Sequence, residues 1–345
     1  MTNSRIGVMT GPGEIELREV ELPDPGPDQV LVRLRSTAIC TWEQRSYSGQ
    51  QSNRFPFVGG HEIAGEVVAA GPGLDGEYAP GTRVALGPTA CGRCHWCRTG
   101  REHACPRHYS ALTVSYGDAW GPAGFADYKM VPADSAYPIG DAGYDVACLA
   151  EPLSCALHAG RMLDVRLGQD VVVIGAGVMG LMNVIASKAR GARVIVSEVD
   201  PGRLAKAAEL GADETVNAIS QDPVAAVREL TEGRGADAVI VAIGDDTANR
   251  QGMEMLGARG RFGLFASAYP ETPLSIAPNA MHKRETAVIG TESKERADFY
   301  LAARLIRYGQ VDLSPLIEAA YPLAELPAAL DHALKAGTYR ILVNP

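Results

Sequence analysis

The chain has 345 residues, 46% hydrophobic and 21% charged, with a formal net charge of −9. That length exceeds what one compact domain usually carries, so two domains are expected. The acidic balance argues against nucleic acid or an anionic membrane as a partner, and no apolar run is long enough to cross a bilayer.

The first 150 residues are rich in Gly, Pro and short β-branched runs, such as Val30–Leu34, Ile63–Ala70 and Phe125–Val131. Turn residues at Pro23–Pro27 and Gly71–Gly73 separate such runs, the texture of a β-rich domain. The texture changes near Ala150. Val171–Ile174 is a continuous apolar run, fit for a strand buried on both faces. A helix at Leu181–Arg190, a strand at Val194–Val196 and a helix at Arg203–Leu210 follow. A helix at Pro223–Thr231 and strands at Ala238–Ala242 and Arg261–Ala266 complete the series. Strands alternating with helices predict βαβ units and a parallel sheet. The tail reads as a helix at Ala297–Tyr308, a second near Leu323–Lys335 and a strand at Arg340–Val343. It is expected to return to the first domain.

Val171–Ile174 runs directly into Gly175-Ala176-Gly177-Val178-Met179-Gly180, and a helix follows. In that setting Gly175 allows a tight turn, Gly177 lets backbone approach a pyrophosphate, and Gly180 allows close helix–strand packing. Glu198 lies 23 residues after Gly175, near the spacing of an acid that accepts from the adenosine ribose hydroxyls. A carboxylate there repels a 2′-phosphate and favours NAD over NADP, although Arg203 lies close enough to soften the preference.

The seven cysteines are Cys40, Cys91, Cys94, Cys97, Cys105, Cys148 and Cys155. Met1–Gly13 has no basic region leading into an apolar stretch, so no export signal is read there. A soluble cytoplasmic protein with reduced thiols is expected. Cys91, Cys94, Cys97 and Cys105 are separated by two, two and seven residues. Four thiolates at that spacing predict a structural tetrahedral zinc site; the seven-residue gap argues against an iron–sulfur cluster. With four sulfurs in place, His95 and His103 are bystanders. Cys40, Gly60-His61-Glu62 and Glu151-Pro152 supply the ligand types of a second, catalytic zinc, yet each alone also fits an ordinary core or surface residue.

These motifs, together with Gly81-Thr82-Arg83-Val84, Phe125-Ala126-Asp127-Tyr128 and Glu151-Pro152-Leu153, resemble the zinc-dependent medium-chain dehydrogenase/reductase superfamily over nearly the whole chain. The polyol and threonine dehydrogenase branch is the most similar. The resemblance implies an α/β protein, with a GroES-like β-rich catalytic domain at 1–150 and 290–345 and a Rossmann NAD-binding domain at 151–289. The zinc lobe falls at about 88–108. It implies a catalytic zinc at Cys40 and His61, with Glu62 and Glu151 as ligands or near neighbours, making two zinc ions per chain. It also implies a cofactor pyrophosphate contact at Arg340, a homodimer or homotetramer, and a small-molecule alcohol or carbonyl substrate.

The pattern breaks at Cys40-Thr41-Trp42-Glu43-Gln44-Arg45. Members usually carry Cys-Gly-Ser/Thr-Asp here, often with a His two residues on, so that hydroxyl and imidazole relay the alcohol proton. Trp42 stands at the hydroxyl position, Glu43 at the Asp position and Arg45 at the His position. An indole accepts no proton and Arg stays protonated. Glu62, Glu151 or Thr41 then become candidate proton acceptors, and Trp42 narrows the pocket or offers an aromatic face suited to a sugar ring. The expected reaction is oxidation of a polyol, sugar or amino-sugar alcohol by NAD. A carbonyl reductase and a nucleotide-binding protein without dehydrogenase activity are the alternatives.

Overall fold

The structure is a computed structural model and describes residues 1–345 except 75, 109–112, 269, 270 and 272. The chain divides into two units, Met1–Ser154 with Lys294–Pro345, and Cys155–Ser293.

The first unit is built on a seven-stranded sheet. Its order is Ile317–Pro322, Arg340–Asn344, Gln29–Ala38, Glu62–Ala70, Arg83–Leu86 and Ala136–Pro138, with Tyr128–Pro132 also pairing to Gln29–Ala38. Val30, Val32, Ile63, Val67, Val84 and Val131 are buried together in its core. The β-branched runs read in the sequence are therefore the central strands. The tail strand Arg340–Asn344 lies antiparallel to Gln29–Ala38, with Leu342 opposite Ala38. On the other side of Gln29–Ala38, Ala38 faces Glu62. These two pairings bring residues 40, 61, 62 and 340 to one end of the sheet.

The second unit carries six parallel strands in the order Glu214–Asn217, Arg193–Glu198, Asp170–Ile174, Ala236–Val241, Leu256–Leu264 and Ala287–Gly290. Counted within the unit, this is 3-2-1-4-5-6, the doubly wound Rossmann order. Val171, Val172 and Val173 are fully buried, which is why this strand reads as an unbroken apolar run. Glu214–Asn217 and Ala287–Gly290 have no counterpart in the sequence reading. Both are short edge strands, and only Val216 among their residues is buried. The helix Asp246–Met255 was also not anticipated. It is largely polar, and its start is set by the Asp245 side chain accepting from the Ala248 N–H at 2.9 Å.

Among the described residues no helix is long and apolar enough to cross a membrane. The core of the second unit centres on Phe262, fully buried beside Gly252, Ile174 and Val239. Phe262→Ala removes a ring that these neighbours cannot replace. It should cost about 3–5 kcal/mol, read as a lowered urea midpoint of the second unit.

Candidate functional site

The four sulfurs of Cys91, Cys94, Cys97 and Cys105 all lie within 4.8 Å of one another. Cys94 and Cys97 are 3.4 Å apart and Cys91 and Cys97 are 3.9 Å apart. A tetrahedral ion with metal–sulfur bonds of ~2.3 Å sets its sulfurs about 3.8 Å apart. The turn supplies N–H donors to the sulfurs, from Cys94 to Cys91 at 3.3 Å and from Arg107 to Cys105 at 3.4 Å. Such donors hold the Cys91 thiol down at about 6, while burial and the adjoining thiols push Cys97 up to about 12. Sulfurs this close become thiolates together only around a cation. His103 takes no place in the set. Its N–H donates to Glu295 Oε2 at 2.8 Å, and its Nδ1 meets Glu295 Oε1 at 2.6 Å.

At the end of the sheet, ligand atoms of Cys40, His61 and Glu62 also lie within 4.8 Å of one another. Cys40 follows the strand Gln29–Ala38, and His61 precedes Glu62–Ala70, so strand pairing sets their meeting. Glu62 is fully buried; its Oε1 accepts from Arg340 at 2.5 Å, and its Oε2 has no hydrogen-bond partner. Burial pushes this carboxyl up to about 7, against the pull of Arg340. A buried carboxylate oxygen left without a donor is costly, and here it accompanies a thiol and an imidazole. That donor set fits a metal ion.

Glu43 holds the set in place, a role the sequence reading did not assign it. It is fully buried. Its Oε1 accepts from the Gly60 N–H at 2.9 Å and meets His61 Nδ1 at 2.8 Å, while Oε2 accepts from the Cys40 N–H at 3.2 Å. With Nδ1 engaged by a carboxylate, Nε2 of His61 is left to face a metal. The signal was present three residues after Cys40, where an acid reaches back to the N–H of Cys40, the residue that caps the helix Thr41–Tyr47.

The two candidate acids separate. Glu151, at the start of the helix Ala150–Met162, lies outside the Cys40–His61–Glu62 set and pairs with the buried Lys294. Burial pushes its carboxyl up, but the Lys294 ammonium outweighs that and holds it below the usual carboxylate range. Arg340 is 3% exposed, and its guanidinium donates to Glu62 and to the Ile39 carbonyl. Trp42 packs edge-on against Phe57 at 5.1 Å and His61 at 5.6 Å, so it walls the set without offering an acceptor. Thr41 is exposed at the first position of its helix.

In the second unit, Gly175 has φ +91°, and a Cβ on Gly180 would lie 1.8 Å from the Gly175 carbonyl oxygen. Both glycines are therefore obligatory for the turn. Gly177 ends the loop at the N-cap of the helix Val178–Ala189, and the space beside its Cα is open. Val178 and Met179 form the first turn, where N–H groups favour an anion. Glu198 ends its strand at the same edge of the sheet. Its carboxylate accepts from the N–H groups of Ala176 at 2.7 Å, Val199 at 2.6 Å and Asp200 at 3.1 Å. Arg203 is half-buried in the next helix, where its backbone N–H donates to the capping Asp200 at 2.9 Å.

Glu43→Ala leaves three N–H groups around Cys40 and His61 without their acceptor. It should weaken metal retention at the mixed set by about 10–100-fold, measured by chelator competition, while the four-cysteine site stays loaded.

Two family models match the chain: the alcohol dehydrogenase GroES-like domain over residues 26–141 and the zinc-binding dehydrogenase over 178–307. The chain is 31% identical to sorbitol dehydrogenase of Halalkalibacterium halodurans, over 97% of each. It is 32% identical to L-threonine 3-dehydrogenase of Pyrococcus horikoshii, over 93% of this chain and 92% of the relative. A Sinorhizobium meliloti structure with NADP bound matches over all of both chains, at 28% identity and a TM-score of 0.87. The chain belongs to the zinc-binding alcohol dehydrogenase family of medium-chain dehydrogenases/reductases, in the branch of the polyol and threonine dehydrogenases, and is an oxidoreductase.

Proposed function

We propose that this chain is a zinc- and NAD-dependent dehydrogenase that oxidises an alcohol of a polyol, sugar or amino-sugar to a carbonyl. The observation that carries the reading is the convergence of Cys40, His61 and Glu62, with the buried Glu62 Oε2 lacking a partner. Cys40, His61 and Glu62 would hold a catalytic zinc, and Cys91, Cys94, Cys97 and Cys105 a structural one. Bound zinc supplies Lewis acidity that lowers the pKa of the substrate hydroxyl, and NAD accepts the hydride.

The rest falls to the chain. Glu43 orients His61, and Arg340 fixes Glu62. Trp42, braced by Phe57, packs edge-on against the imidazole. With Glu62 a ligand, Glu151 is the carboxylate left to take the hydroxyl proton. Gly175, Gly177 and Gly180 seat the pyrophosphate, with Val178 and Met179 providing the helix N-terminus, and Glu198 accepts from the adenosine ribose. Its negative charge supports NAD, whereas the Sinorhizobium meliloti relative was solved with NADP. Relatives of sorbitol and threonine dehydrogenase type support the substrate class. A homodimer or homotetramer is proposed from the family.

A panel of polyols, sugars and amino sugars, followed by NADH formation with zinc measured on the same sample, tests the reading. One zinc per chain and no NAD reduction on any substrate would instead support a nucleotide-binding role. Glu151→Gln should slow the hydride step by about two to four orders of magnitude with both metals retained, whereas Glu62→Gln should lose the catalytic metal. NAD should exceed NADP in kcat/KM by roughly tenfold or more, and Glu198→Ala should narrow that ratio.

A further inference from the structure

Lys294 and Glu295 are consecutive, and each grips a different part of the first unit. Lys294 pairs with Glu151, the two side chains being 5% and 9% exposed. Glu295 holds both the N–H and the ring of His103, two residues before Cys105 in the four-cysteine lobe. Glu295 is extended, with φ −88° and ψ 163°, a conformation in which successive side chains point to opposite sides. Its own N–H donates to Asp298 at 3.0 Å, so the segment is also tied to the start of the helix Arg296–Arg307. The dipeptide is a strut with the lobe at one end and Glu151 at the other.

We propose that Lys294 is a positioning residue that keeps the Glu151 carboxylate out of the Cys40–His61–Glu62 ligand set, and that the His103–Glu295 clamp fixes Lys294 in that task. The inference rests on the reading of those three residues as a metal set. A carboxylate this near is drawn to a divalent cation unless another cation holds it. Glu151 is close enough for its charge to bear on Glu62. Held by Lys294, it leaves a ligand position open for a substrate hydroxyl; released, it fills that position. The lobe thereby acts on the other metal set through four residues: His103, Glu295, Lys294 and Glu151.

The test is imidazole binding to the intact cobalt(II)-loaded protein, followed by visible absorption without turnover. The spectrum of the Cys40→Ser variant, which reports the four-cysteine site, is subtracted. Lys294→Met should weaken imidazole binding about tenfold, Lys294→Arg should preserve it, and adding Glu151→Gln to Lys294→Met should restore it. His103→Ala should weaken binding about threefold and add nothing in the Lys294→Met background. Wild-type imidazole binding in Lys294→Met overturns the positioning role, and a His103→Ala effect that persists in that background overturns the link. Should Lys294→Met not fold, His103→Ala still decides, because its side chain is 41% exposed; unchanged binding there sinks the strut. Cobalt confined to the four-cysteine site in the wild-type protein would overturn the metal reading and this inference together. A normal second cobalt band with unaltered imidazole binding in the variants overturns the strut alone.

Discussion

Charge removed from water must be balanced close by, and this constraint organises the first unit. Around the end of one strand pair lie the carboxylates Glu43 and Glu62, with the Cys40 thiol beside them, and the buried Glu151 carboxylate bears on Glu62 by its charge. Lys294 and Arg340 are the two cations buried against them. Three carboxylates and a thiol thus face two side-chain cations and the His61 imidazole. Glu43, Arg340 and Lys294 cannot be moved singly without stranding a buried charge, so each is a support of the set as well as a member of the fold. The tail strand is part of the same arrangement, because Arg340 reaches Glu62 only through its pairing beside Gln29–Ala38.

What the sequence made legible is what is local. The glycine turn lies within six residues, so its strand, loop and helix could be read together. The four cysteines lie within fifteen residues, and their spacing alone set the sulfurs in one lobe. The central strands were legible because burial on both faces leaves continuous apolar runs. The two edge strands and the helix Asp246–Met255 were not, because their positions are half-exposed or polar and carry no clear period.

The mixed metal set was legible only in outline. Cys40, His61 and Glu62 were identified, but which acid joins them depends on strand register between segments far apart in the chain. Glu151 and Lys294 are 143 positions apart, and Arg340 and Glu62 are 278 apart. No periodicity reports such pairings. Arg340 shows the consequence: strand register delivers it to the buried Glu62 carboxylate, a partner that no local pattern announces.

Trp42 occupies the place of a hydroxyl, and its packing against Phe57 and His61 is continued by Phe57 against Trp120 at 5.5 Å. On the same helix, Ser46 donates to the Trp42 carbonyl at 2.9 Å, and Thr41, the first residue, is exposed. The first turn of that helix therefore supplies an aromatic wall where the resemblance implies a hydroxyl. On the proposed reading, a substrate proton would leave by a carboxylate carried on another element. Glu62 accepts from Arg340 and belongs to the Cys40–His61–Glu62 set, which on that reading leaves Glu151, held apart by Lys294. With an indole in place of the expected hydroxyl, that reading places the demand on an ion pair between two distant segments.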